Sequence, residues 1–176
     1  AVTANGGTLK MIATSSGQTI RLSGSSLANL SVSATGTFQF LDSNATTTGD
    51  VTLSFGTTTF PYATLAVGGS FTNTAVFTAG TSTLIMNTSA AGKSMLVGSS
   101  SPYNVLINAV SGGVSIPTNA TTTNNFTLQN ATTFTQSSGT TLAVGGLFLN
   151  ILGGAPTTWT GAVLSLYGTS SNYTIN

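Results

Sequence analysis

The chain repeats itself, and this repetition restricts its fold more than any other feature. Residues 64–73 read TLAVGGSFTN and residues 141–150 read TLAVGGLFLN, which are identical at eight of ten positions. An internal period of this length is typical of folds that stack or duplicate one structural unit. We therefore interpret the rest of the sequence around this period.

The repeat extends well beyond this motif. Pairs that match at one constant offset include Leu9 with Leu84, Met11 with Met86, Asn29 with Asn104, Asn44 with Asn119, and residues 50–53 with 125–128. A looser third match places Trp159 and residues 162–166 over Phe77 and residues 83–86. We predict a single domain over 1–176, with repeat one at about 2–76, repeat two at about 77–153 and a partial third at 154–176.

Apolar residues alternate with Ser, Thr, Ala, Asn or Gln along most of the chain. Examples of this alternation are Leu30/Val32, Phe38/Phe40, Val51/Leu53, Leu84/Met86 and Leu142/Val144. A period of two is the pattern of strands with one wet and one dry face. Gly and Ser clusters interrupt the pattern at short intervals, and no segment has helical periodicity. The sequence predicts an all-β protein.

Two all-β architectures accept short strands at this spacing: a parallel β-solenoid, and a β-sandwich or jelly roll whose copies exchange a donor strand. A sandwich of about 75 residues without a disulfide has a marginal core. A solenoid explains the repeat directly, because each turn contacts mainly its neighbours. We predict a solenoid in which one repeat forms about three turns of about 25 residues each.

Composition excludes several classes of function. The chain has three basic residues, two acidic residues, no His and no Cys. Phosphate binding needs clustered Lys and Arg, so nucleic acid is not an expected partner. The most apolar run, residues 142–155, is too short and too rich in Gly to be a membrane span. The absence of Cys fits an extracellular protein that is stabilised by packing.

The sequence carries no recognisable catalytic, cofactor or metal site. Nucleophile and base pairs that use His or Cys are excluded, as are zinc sites of the usual kind. Asp42 and Asp50 are the one candidate pair of catalytic carboxylates, but their repeat partners are about Pro117 and Asn125. Lys10, Arg21 and Lys93 fall at unequal repeat positions, which is typical of solvated surface charge. We predict that the protein is not an enzyme and has no cofactor.

Three segments resemble the repeats of Thr/Ser/Gly/Asn-rich bacterial cell-surface proteins of the β-helix adhesin or filament type. These segments are Gly68 to Met86, Ala90 to Ile107 and Asn119 to Leu128. The resemblance implies a right-handed parallel β-helix that is displayed outside the cell. It is one of composition and rhythm, so it implies no particular site residue.

These observations favour an extracellular structural protein, a subunit or segment of a surface filament that assembles with copies of itself through its uncapped ends. The alternative is an adhesin, or a module that binds glycans or other cell surfaces, that does not polymerise. The candidate assembly residues are Val2, Leu9, Met11, Trp159, Leu164, Leu166, Tyr173 and Ile175. Candidate glycan contacts are the aromatic side chains of Tyr62, Tyr103, Trp159, Tyr167 and Tyr173.

Two further sets of residues are candidates for surface roles. Asn-x-Ser/Thr sequons, which are candidate N-glycosylation sites, occur at Asn29, Asn44, Asn87, Asn119, Asn125, Asn130 and Asn172. Threonine triplets, which form a flat hydroxyl array if they face one way, occur at 46–48, 57–59 and 121–123. We interpret the triplets as ordinary β-branched strand and turn residues.

Overall fold

The chain folds as a parallel β-solenoid of about 7 turns, seen in a computed structural model that describes residues 6–152 and 157–168. The described residues contain strands and turns but no helix. Every strand pair among them is parallel, which confirms the predicted solenoid and excludes the antiparallel sandwich. The alternation of apolar and polar residues places one side of each strand inside the solenoid.

The strands are numbered in chain order. They are β1 (Thr8–Met11), β2 (Gln18–Ile20), β3 (Ser26–Leu27), β4 (Asn29–Phe40), β5 (Asn44–Thr47), β6 (Val51–Thr59), β7 (Thr64–Val67), β8 (Phe71–Asn73), β9 (Val76–Thr78), β10 (Thr83–Met86), β11 (Lys93–Leu96), β12 (Asn104–Ile116), β13 (Ala120–Thr122), β14 (Phe126–Gln136), β15 (Thr141–Val144), β16 (Phe148–Asn150), β17 (Thr157–Thr158) and β18 (Val163–Leu166).

Strand pairing divides the solenoid into three faces. Face 1 consists of β1, the first halves of β4 and β6, β8, β11, the second halves of β12 and β14, and β17. Face 2 consists of β2, the second halves of β4 and β6, β9, β13, β15 and β18. Face 3 consists of β3, β5, β7, β10, the first halves of β12 and β14, and β16.

The turns of the solenoid are shorter than the sequence predicts. At most corners, side-chain hydrogen bonds between adjacent turns join residues that are 20 to 22 residues apart. The separation is 24 residues where the backbone of Ser94 bonds to the Ser70 hydroxyl. It is shortest where Val67 and Met86 are paired in adjacent strands. The predicted turn of about 25 residues is therefore too long, because three short strands and three tight corners need fewer than that.

Because the repeat is not a whole number of turns, each repeat is rotated relative to the one before it. The segment 8–11 lies on face 1, and its counterpart 83–86 lies on face 3. Likewise, residues 64–67 lie on face 3 and 141–144 lie on face 2. Each repeat thus spans about three and two-thirds turns, and equivalent strands move back by one face.

The inward side chains form continuous apolar columns along the solenoid. On face 1, Leu30, Val51 and Phe71 stack in register and are no more than 1% exposed. Aromatic side chains pack against one another in the interior. Phe60 stacks on Phe77 with ring centroids 4.5 Å apart, and both rings contact Phe71 edge-on. Burial of such columns is the main stabilising contribution expected for this fold.

The Gly-Gly pairs of the repeated motif lie at corners where one turn passes close over another. A Cβ atom added to Gly68 would collide with the carbonyl of Thr48, and one added to Gly145 would collide with the carbonyl of Thr123. Neither glycine has a positive φ, so it is the close approach of backbones that requires glycine here. The motif is a structural corner.

We predict that Gly68→Ala and Gly145→Ala each destabilise the protein by about 2 kcal/mol or more, because backbone must move to admit the methyl group. Urea denaturation followed by circular dichroism measures the change. Gly7→Ala is the matched control, since nothing lies within 4 Å of a Cβ added at Gly7. Equal effects of the three substitutions would contradict the corner assignment.

Thr58 is a polar residue inside the solenoid. It lies in an inward column between Phe38 and Phe77, and it is 1% exposed. Among the residues that the structure describes, none is a hydrogen-bond partner of its hydroxyl oxygen. A buried hydroxyl without a partner carries a desolvation cost that an apolar group of similar shape avoids.

We predict that Thr58→Val stabilises the protein by about 1 kcal/mol, because it removes this unsatisfied hydroxyl and keeps the shape of the side chain. The free energy of unfolding in urea is the measurement. Thr59→Val on the outward side of the same strand is the control and should change stability by less than about 0.5 kcal/mol. A destabilising Thr58→Val would show that the hydroxyl has a partner, such as an ordered water.

Candidate functional surfaces

The first described turn has an open apolar mouth. Leu9 and Met11 of β1 point inward, but they are only half-buried, whereas their neighbours on the next turn, Leu30 and Val32, are 1% and 0% exposed. These side chains line a cavity of about 260 Å³, together with Thr19, Ile20, Arg21, Leu22, Ser25 and Leu27. Two candidate assembly residues thus belong to one exposed apolar surface.

The last described turn has a similar character. Leu164 and Leu166 of β18 pair with Leu142 and Val144, and they are half-buried whereas those partners are 0% exposed. Trp159 is also half-buried and packs on Phe134 and Phe148, with ring centroids 5.4 and 6.1 Å away. Val2, Tyr173 and Ile175, the other candidate assembly residues, lie outside the described residues.

Asn and Asp side chains at two corners link successive turns. The Oδ1 atom of Asn29 accepts a hydrogen bond from the backbone N–H of Asp50 at 2.9 Å, and Oδ1 of Asp50 accepts one from the N–H of Ser70 at 2.7 Å. In the second repeat, Oδ1 of Asn104 accepts from the N–H of Asn125 at 3.2 Å, and Oδ1 of Asn125 accepts from that of Leu147 at 2.9 Å. We call these residues the corner ladder.

Most of the sequon asparagines form side-chain hydrogen bonds in the structure. Asn29 and Asn125 belong to the corner ladder. Asn119 accepts a hydrogen bond from the backbone N–H of Thr141, and Asn44 accepts one from the Thr64 hydroxyl. Asn87 and Asn130 both bond to Asn108. Asn172 lies outside the described residues. N-glycosylation of these residues stays a prediction.

The two carboxylates do not form a pair. Asp42 lies at the corner between faces 2 and 3, where it accepts hydrogen bonds from the backbone N–H groups of Leu22 and Ser23 at 2.6 and 3.0 Å. Asp50 follows β5 in the chain and lies at the next corner, between faces 3 and 1. It forms an exposed ion pair with Lys93 at 3.3 Å. Each carboxylate holds a corner together, and this arrangement brings no second acid to either one.

The three basic residues do not cluster. Lys10 and Arg21 are exposed on the first described turn, whereas Lys93, the partner of Asp50, is the first residue of β11 on a later turn. Across residues 6–152 and 157–168, no group of three or more His, Cys, Asp or Glu side chains has the arrangement of a metal site. No helix in these ranges is long and apolar enough to cross a membrane.

The threonine triplets do not form flat arrays. The middle residue of each triplet, Thr47, Thr58 or Thr122, is no more than 2% exposed, because it points inward. Thr48 and Thr123 follow the ends of β5 and β13, and the other triplet residues lie in strands, so the interpretation of the triplets as strand and turn residues is confirmed.

The four candidate aromatic residues that the structure describes are dispersed over the molecule. Tyr62 and Tyr167 are 71% and 52% exposed. Tyr103 and Trp159 pack against the core, and Tyr173 lies outside the described residues. The Tyr167 hydroxyl donates to the carbonyl oxygen of Thr122 at 3.1 Å. These side chains therefore do not form one aromatic platform.

The fold defines the class of the protein as a parallel β-solenoid. Comparison with known proteins adds no relative, since no family model, curated protein or solved structure matches the chain. A functional assignment must therefore come from the surfaces described above.

The corner ladder was not predicted from the sequence, although a signal for it was present. Asn29 and Asn104 are identical at equivalent repeat positions, and Asp50 and Asn125 both offer a side-chain oxygen. A short polar acceptor kept in both copies is typical of a side chain that bonds to backbone. At this corner, the acceptor oxygen of Asp50 is used in the same way as that of the uncharged Asn125, so the role does not depend on charge.

We predict that Asp50→Asn changes stability by less than about 0.5 kcal/mol, because Asn keeps the acceptor oxygen and exposed ion pairs contribute little. Asp50→Ala should cost about 1 to 2 kcal/mol, because it leaves the N–H of Ser70 without its partner. Asn125→Ala is a matched test in the second repeat. Urea denaturation distinguishes the variants, and an Asp50→Asn as costly as Asp50→Ala would show that the ion pair with Lys93 dominates.

Proposed function

We propose that this chain is a non-enzymatic structural segment of an extracellular fibre, in which copies join by stacking one solenoid end on another. The observation that carries the proposal is the half-exposure of inward apolar residues at both described ends. Leu9 and Met11 at one end, and Leu164 and Leu166 at the other, occupy columns whose inner members are fully buried.

Stacking a second copy on these surfaces would extend interactions that the solenoid already makes between its own turns. The apolar columns would continue into the neighbour and lose their contact with water, which favours association. The outer edges of β1 and β18 would gain backbone hydrogen bonds of the kind that join parallel strands. No special side chain is needed for such a contact.

The chemistry of the outer surface supports a structural role. Asp42 and Asp50 are both engaged at corners, and the exposed positions are mainly Ser, Thr, Asn and Gly. The placement outside the cell rests on the resemblance to surface-protein repeats and on a chain that is stabilised by packing without Cys.

We predict that Leu9→Glu prevents fibre formation, because it places a charge in the apolar mouth that the next copy must cover. Negative-stain electron microscopy and sedimentation velocity measure fibre length for the purified chain. The wild-type chain should form rods longer than one copy, and the Leu9→Glu chain should remain monomeric.

Thr8→Glu is the matched control, because Thr8 lies on the same strand, is exposed and points outward. It should leave fibre length unchanged. Fibres of normal length from Leu9→Glu, or a wild-type chain that stays monomeric at high concentration, would overturn the proposal. Circular dichroism of each variant confirms that the solenoid has formed.

A further inference from the structure

Face 3 carries an apolar stripe on its outer surface. Ala66, Ile85 and Leu106 lie in register on three consecutive turns, and Leu149 follows after Thr127. These side chains point outward, because their strand neighbours Leu65, Leu84, Val105 and Phe148 are buried in the core. We call Ala66, Ile85, Leu106 and Leu149 the face 3 stripe.

The first repeat shows that the fold does not require this stripe. The column equivalent to Ile85, Leu106, Thr127 and Leu149 is formed on face 1 by Lys10, Ser31, Thr52 and Thr72. The two columns have the same pairing register, and both are flanked by inward apolar residues. The solenoid therefore also forms with polar residues at these outward positions, so the fold alone does not require the apolar residues on face 3.

An asparagine ladder borders the stripe on one side. Nδ2 of Asn108 donates to Oδ1 of Asn87 at 3.3 Å, and Nδ2 of Asn130 donates to Oδ1 of Asn108 at 2.6 Å. The equivalent positions in the first repeat are Ile12, Ser33 and Phe55, which cannot form such a ladder. An amide has two N–H donors and two acceptor lone pairs, and the ladder uses only part of this capacity.

The opposite border is also polar and uncharged. Nδ2 of Asn104 donates to the Thr83 hydroxyl at 3.4 Å, and Nδ2 of Asn124 donates to Oδ1 of Asn104 at 3.0 Å. The strands of face 3 contain no Lys, Arg, Asp or Glu within the described residues. Face 3 thus combines an apolar centre with amide and hydroxyl borders, and its described strands carry no ionised side chain.

The size of this surface fits a narrow ligand better than a protein. Turns of parallel strands lie about 4.8 Å apart and outward residues about 6.6 Å apart, so the surface measures about 19 by 13 Å, or about 250 Å². A stable protein interface buries about 800 Å² on each partner. A single extended chain that runs along the solenoid axis, across the strands, would cover the stripe and reach both borders.

We propose that face 3 binds a neutral polysaccharide chain. The C–H faces of its sugar rings would cover Ile85, Leu106 and Leu149, and its equatorial hydroxyls would bond to the amides of the two borders. An apolar surface with a few placed polar groups is the usual composition of a ligand site. This inference does not depend on fibre formation, because the stripe is on the side of the solenoid and the assembly residues are at its ends.

The test is retention of the full chain on cellulose, chitin and an insoluble β-1,3-glucan. We expect wild-type retention on at least one of them. Leu106→Ser combined with Leu149→Thr installs the residues of the first repeat, so the fold should be kept and affinity should fall at least about tenfold. Asn108→Ser should weaken binding independently. Thr52→Ser combined with Thr72→Ser on face 1 is the matched control and should bind like the wild type.

Three results would overturn the proposal. The first is that no tested polysaccharide retains the wild-type chain, and the second is that the wild type and the Leu106/Leu149 variant are retained equally. The third is that the face 1 control loses as much retention as the Leu106/Leu149 variant. Concentration-dependent dimerisation that is lost only in the Leu106/Leu149 variant would assign the stripe to a second copy instead. Fibre length, measured on the same samples, should not change, which separates failure of this inference from failure of the fibre proposal.

Discussion

The structure depends on the in-register stacking of each turn on the next. Backbone hydrogen bonds between parallel strands provide this contact without regard to side-chain identity. The sequence therefore has two main tasks, which are to keep the inward columns apolar and to let the corners approach closely. Gly68 and Gly145 serve the second task by leaving room for the neighbouring carbonyl, and Asn29 and Asp50 serve it by accepting backbone N–H groups.

This division of tasks leaves the outward positions free to vary, and the two repeats vary there. Their inward residues remain apolar, as in Leu30 and Val105, whereas the outward neighbours Ser31 and Leu106 differ in polarity. The two repeats can be compared with each other, because the residues of one repeat show what the fold tolerates at the equivalent positions of the other. The differences between repeats indicate where binding is to be sought.

The alternation of residues was sufficient to predict the strands and most of the core. Leu30, Val32, Phe38 and Phe40 are all inward and no more than 1% exposed. The turn length was not predictable in the same way, because it depends on how tightly each corner closes, which the repeat period does not contain. The corner ladder could not be predicted either, because it depends on the length of a turn. The contact between Asn29 and Asp50 spans one whole turn, so it becomes evident only once the length of a turn is known.

The rotation between repeats has a mechanical consequence. If one face is stiffer than the other two, a rod whose repeats all had the same orientation would bend in a preferred plane. Here each repeat advances by about two-thirds of a turn beyond three full turns, and equivalent surfaces point in three directions in succession. In a rod built from several such repeats the compliance would average around the axis, and any group attached once per repeat would wind around the rod as a coarse spiral.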